Sequence, residues 1–212
     1  MTRIGRLTKN EKMKETEKVN EGTVFWNWNL PPVKTCPGAG DCTKICFGLQ
    51  GHYVGPVVKA SMEENLRLSK QDDFVERMSS EVAWRAYNAM KKGKKMYVRV
   101  HDVGDYYSID YARKWIEIAK QNPDVTFYSY TKSVPIWNEL IDNGEKPINF
   151  EITFSKMGKY DHLIRPEFRT AEIVRSKEEI MADMTDGTGN DMIAMTAKRV
   201  ALPYHGSRKW TQ

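Results

Sequence analysis

MYVRV at residues 96–100, VTFYSY at 125–130 and INFEITF at 148–154 are three short runs rich in β-branched and aromatic residues. The two stretches between them are helical in pattern. Residues 108–121 open on Ser108, whose hydroxyl suits a helix N-cap, and residues 134–143 end at Gly144, a residue that favours a helix stop. Strand–helix–strand alternation with short links predicts parallel strands joined by right-handed crossovers.

Working outward toward the N-terminus, VFWNWNL at 24–30 reads as a further strand, stopped by Pro31 and Pro32. Residues 58–69 and 73–92 read as two helices, with Phe74, Met78, Val82, Trp84 and Tyr87 recurring at helical spacing in the second. Toward the C-terminus, AEIVRS at 171–176 and MIAMTA at 192–197 are additional strand candidates, and DGTGND at 186–191 reads as a turn. About five to six strands fit an α/β fold built as an open, partial parallel β/α barrel, since a closed eight-stranded one needs about 250 residues. Residues 1–22 are polar, lack sustained periodicity and read as a flexible N-terminal arm or a short exposed helix. Residues 23–212 are expected to form a single α/β domain containing a cysteine loop at 36–46.

Hydrophobic residues make up 40% of the chain and charged residues 29%, the balance of an ordinary globular protein. No apolar run approaches the roughly 20 residues of a membrane span. The basic N-terminus has no apolar segment behind it, so the expected location is the cytoplasm. The net charge of +5 admits a polyanionic partner such as nucleic acid. The densest cationic run, KKGKK at 91–95, falls where a helix gives way to a strand, and lysines there also suit a helix C-terminus or a solvated surface.

All three cysteines, Cys36, Cys42 and Cys46, fall within eleven residues, spaced C-x5-C-x3-C. Free cysteine often packs as a small hydrophobe. The residues between these three, however, are mostly glycine, proline, aspartate, threonine and lysine, which do not build a core. In a reducing compartment clustered thiols point to metal. A structural zinc takes four ligands, so it would need His52 or His205 as well. A [4Fe–4S] cluster is served by three cysteines when one iron stays open, and a glycine-rich loop can turn its amides toward sulfur.

The strand ends are loaded with polar groups, and in parallel α/β folds the C-terminal strand ends form the working face. The first carries Arg99, His101, Asp102, Asp105 and Tyr106 around Gly104, the second Tyr130, Thr131, Lys132 and Ser133, the third Ser155 and Lys156, with Glu151 earlier in its strand. Strand alternation would put Tyr97, Arg99 and His101 on one face. Inward Arg99 and His101 would need carboxylates such as Asp105 or Glu151, either as part of a binding site or as an internal network that fixes the fold. Of the tryptophans, Trp26, Trp28 and Trp210 stand apart from the expected core pattern.

The succession C-P-G-A-G-x-C-x3-C-F, R-V-H-D-V-G-D-Y-Y-S and F-Y-S-Y-T-K-S, over residues 25–155, resembles the phage gene product 88 family. That family looks in turn like a reduced relative of radical S-adenosylmethionine enzymes, in which a loop after the first barrel strand carries three cysteines on a [4Fe–4S] cluster. The resemblance implies a cluster held by Cys36, Cys42 and Cys46. It further implies S-adenosylmethionine at the open iron, with Arg99, His101, Asp105, Tyr106, Lys132 and Glu151 around the cofactor. The spacing here differs from the usual C-x3-C-x2-C, and Ile45 stands where those enzymes carry an aromatic. The leading expectation is an iron–sulfur protein of unidentified reaction. A nucleic-acid- or partner-binding module with a structural cluster or zinc is the alternative.

Overall fold

The computed structural model describes residues 7–206. Its seven strands form one sheet, parallel throughout, in the order β1-β2-β3-β4-β5-β7-β6. They are β1 (Thr23–Trp28), β2 (Lys95–Val100), β3 (Thr126–Thr131), β4 (Phe150–Ser155), β5 (Arg169–Val174), β6 (Thr185–Asp186) and β7 (Arg199–Pro203). The sheet is an open half-barrel, the partial parallel barrel expected from the alternation at 96–154. Helices α2 (Pro56–Ser69), α3 (Phe74–Met90), α4 (Ile109–Gln121) and α5 (Val134–Asp142) cover its outer face. Ser108 caps α4 as expected, its hydroxyl accepting from the Tyr111 N–H at 3.2 Å.

The main core lies between this face and the helices. Val98, Val100, Phe127 and Phe150 of the sheet meet Phe74, Val82, Trp115 and Trp137 of the helices, all buried. Trp28 belongs to that core and its indole N–H donates to the Tyr111 hydroxyl at 3.1 Å. Trp26 is instead flanked by the Lys9 ammonium and the Arg85 guanidinium, 4.6 and 3.7 Å from its ring. Trp210 lies outside the described residues.

The inner face is filled from the two ends of the chain. Thr8 pairs antiparallel with Asn27, and α1 (Glu11–Val19), capped by the Asn10 side chain, buries Met13 and Thr16 against the sheet. The stretch read as an arm is therefore docked over its described part. The MIAMTA run is not a strand. Ile193–Thr196 form a single helical turn, α6, with Ala194 packed near Met13, Phe25 and Tyr128. The Asn190 carboxamide accepts from the Met192 N–H and the Asp191 carbonyl from the Ala194 N–H, so the local bonding closes a turn rather than a ladder. The strand beside β5 is β7, which follows it.

Candidate functional site

The C-terminal ends of β1 to β4 are tied into one surface. The Asn29 side-chain oxygen accepts from the Asp102 and Val103 N–H groups at 2.8 and 3.2 Å, joining the turn after β2 to the end of β1. Gly104 sits at φ +85°, where a side chain would collide with Leu30 and Thr35, so only glycine permits this approach. Asp105 then bridges to β3: its carboxylate accepts from the Thr131 hydroxyl at 2.7 Å and from the backbone N–H groups of Lys132 and Tyr106, each at 2.8 Å. Burial nonetheless pushes the Asp105 carboxyl above its ordinary range.

The cysteine loop follows β1 and is pinned on that surface. A Cβ on Gly38 would stand 1.9 Å from the Lys132 carbonyl oxygen, the Lys159 N–H donates to the Gly38 carbonyl at 3.0 Å, and the Cys42 N–H donates to the Met157 carbonyl at 3.1 Å. Cys36, Cys42 and Cys46, all half-buried and unpaired, line one cavity of about 900 Å³. Burial pushes the Cys36 thiol up to about 12, with the Asp105 carboxylate and then the other two cysteines adding to it. Burial also raises Cys46, although the Gly48 and Leu49 N–H groups reach its sulfur and Lys132 stands close enough to favour its thiolate. The Lys132 ammonium donates to the Ser155 hydroxyl at 2.6 Å.

Of the strand-end residues singled out in the sequence, Arg99, His101, Asp105 and Lys132 line the same cavity as the cysteines, along with Asp102, Tyr130 and Ser155. Tyr106 and Glu151 do not. Tyr106 is packed in the core against His101 and Trp137. Glu151 shares a cross-strand row with Arg99 and Tyr128, but its carboxylate pairs with Arg169. The histidines considered for zinc, His52 and His205, line the same cavity. The His52 ring lies tilted against Tyr53, and exposed His205 lies within hydrogen-bond reach of the Pro203 carbonyl. Among the described residues no three His, Cys, Asp or Glu side chains gather as ligands of one metal ion.

Arg99 and His101 do not share a face. His101 adopts φ +70°, which breaks the strand alternation and turns its ring to Tyr106 and Tyr111 on the helix side. Its Nε2 is 2.9 Å from the Tyr111 hydroxyl, its buried Nδ1 has no partner, and burial drops its pKa to about 3, so the ring is neutral. Neither residue meets Asp105 or Glu151. Arg99 donates to Asp191 at 2.8 Å, stands 3.1 Å from Asp102 and lies 5.1 Å from the Tyr130 ring centre. Fully buried Asp191 also accepts from the Tyr128 hydroxyl and pairs with the Lys12 ammonium, both at 2.8 Å. Burial alone would raise the Asp191 carboxyl, but Arg99 and Lys12 outweigh it and hold the group well below the usual carboxylate range. Asp102 is engaged as well, by the Tyr53 hydroxyl and by the Asn10 amide at 2.6 Å.

The model of the family described as Gene product 88 matches residues 5–209. The Gene 88 protein of Mycobacterium phage L5 is 26% identical over 117 residues, 51% of this chain and 49% of the phage protein. The Gene 88 protein of Mycobacterium phage D29 is 26% identical over 102 residues, 46% of this chain and 42% of the phage protein. The chain thus matches about half the length of these curated relatives or less. No solved structure matches the chain. Among the described residues no helix is long and apolar enough to cross a membrane.

Proposed function

The chain belongs to the Gene product 88 family, and from that starting point we propose that it is an iron–sulfur protein whose Cys36, Cys42 and Cys46 hold a [4Fe–4S] cluster facing the strand-end cavity. The observation that carries this reading is that all three cysteines of the chain line one cavity on a loop pinned to three strand ends. The donor set fits. Burial, with a smaller contribution from neighbouring cysteines, raises the Cys36 and Cys46 thiols; clustered cysteines are stable together as thiolates when a positive core sits among them, and binding such a core releases their protons. Each cysteine of a four-iron cube binds a different iron, so the ligands surround a volume and need not meet at one point. A single zinc requires four donors around one centre.

When bound, the cluster supplies one-electron chemistry and, at the iron without a cysteine, a place for a ligand. The chain's own residues do the rest. The Gly48 and Leu49 amides and the Lys132 ammonium offset charge on the Cys46 side. Asp105 fixes the β2 and β3 ends that the loop rests on, and neutral His101 adds no charge to the cavity wall. The space beside the thiols lies within the size range of small-molecule sites, roughly 300–1,000 Å³. This favours the finer part of the proposal, that S-adenosylmethionine docks on the open iron with Arg99, His101, Asp105 and Lys132 around it.

Paramagnetic resonance on the reduced, cluster-loaded protein tests that part. S-adenosylmethionine should change the cluster spectrum, and with reductant it should release methionine and deoxyadenosine. An unchanged spectrum at saturating cofactor removes the cofactor from the proposal and leaves the cluster.

A further inference from the structure

The outer surface of α3 is unlike that of a helix whose apolar residues all point to the core. Phe74, Met78, Val82 and Ala89 are buried, but Trp84, Tyr87 and Met90 are 62%, 56% and 63% exposed. Three-residue steps place these three side by side on one face. A cluster of large exposed side chains of this kind marks a contact surface.

The charge beside them is one-sided. Lys91, Lys92, Lys94 and Lys95 follow directly, all exposed, and among the described residues none of the four forms an ion pair with a carboxylate. The Lys91 ammonium lies 5.5 Å from the Tyr87 ring centre, and the Arg85 guanidinium lies 6.0 Å from that of Trp84. Of the nearby acids, Asp73 before the helix and Glu81 within it are neutralised by Arg77 and Arg85, and exposed Glu76 lies in the first turn, eight residues before Trp84. Exposed aromatic rings beside unpaired lysines suit bases that stack and phosphates that pair. A protein partner would select against so many lysines, which interface centres deplete.

We propose that a single-stranded nucleic acid lies across this face of α3, with bases on Trp84 and Tyr87 and phosphates along Lys91, Lys92, Lys94 and Lys95. The surface lies at the N-terminal end of β2, the end of the sheet opposite the cysteine loop, so the inference stands apart from the cluster.

The test is titration of the full chain with a fluorescent oligothymidylate of about 12 nucleotides, within the usual site sizes. Binding should weaken about tenfold in Trp84→Ala and again in Tyr87→Ala, while Trp84→Phe keeps most of it. The slope of log affinity against log salt should flatten by about 0.7 for each lysine replaced by glutamine. A duplex of the same length should bind less tightly. Circular dichroism of each variant shows that the exposed substitutions leave the fold intact. Equal binding by wild type and both alanine variants overturns the proposal, as does no binding at all. A concentration-dependent dimer that dissociates in Trp84→Ala without any effect on oligonucleotide affinity also overturns it, and assigns the face to self-association.

Discussion

Asp191 and Arg99 are 92 positions apart in the chain and meet inside the half-barrel, Asp191 with no exposure to water and Arg99 nearly buried. That an arginine in the middle of MYVRV needs a carboxylate can be read from burial alone, because an unpaired buried charge is costly. Which carboxylate answers it cannot be read there. Asp191 sits in a run that looks like a surface turn, and only the path of the chain through α6 brings it back. The available signal was its place just before an apolar segment, where an acid can enter the core along with that segment. Asp191→Asn leaves Arg99 and Lys12 facing a neutral amide. Urea unfolding at neutral pH should show a loss of about 3–5 kcal/mol, the scale for breaking a buried pair. The pH dependence has a fixed sign. A carboxyl held below its unfolded value, near 3.9, contributes its full stability above that value and loses it as pH falls through the depressed folded one. The gap between wild type and variant should therefore be largest above about pH 5 and narrow in acid. A gap that is the same at pH 7 and pH 3 would contradict the ionised role of Asp191.

Elements differ in how openly the chain declares them. β2, α4, β3, α5 and β4 are each long enough for their periodicity to show, and they form close to where the pattern puts them. The pieces that close the inner face are short and take their structure from what they pack on. α6 is four residues of an apolar run that would suit a strand, yet it forms one turn that buries Ala194 with Phe25 and Tyr128. α1 reads as exposed because just two of its nine residues, Met13 and Thr16, are buried, although they are the two that dock it. The cysteine loop has no periodicity at all, and its placement comes from backbone contacts that a sequence pattern does not display. Those contacts can be tested through Gly38. A methyl group at that position would meet the Lys132 carbonyl, so Gly38→Ala should lift the loop from β3 and cost about 1–3 kcal/mol, the usual penalty for overpacking. The thermal midpoint should fall and iron retention with it. Unchanged values of both would mean that the loop does not rest where the contacts place it.

Taken as a whole molecule, the half-barrel presents two separate surfaces at opposite ends of one sheet. One gathers the three thiols, a cavity and the charged strand ends, and the other carries the exposed aromatic face of α3 with its lysines. The family model spans both, from residue 5 to residue 209. The sheet and the thiol loop could be anticipated from alternation and from the cysteine spacing. The second surface is harder to anticipate, because large aromatics suggest a core, and only the offset of Trp84 and Tyr87 by two and five residues from Val82 takes them off the buried stripe of Phe74, Met78 and Val82. The claim on which the functional account turns is the cluster, and the most direct measurement is iron and acid-labile sulfide in protein purified without oxygen. The account predicts brown protein with about four irons and four sulfides per chain, and loss of most of both in Cys42→Ser. Stoichiometric zinc without sulfide, colourless protein with three titratable thiols, or full iron content in the Cys42→Ser variant would contradict it.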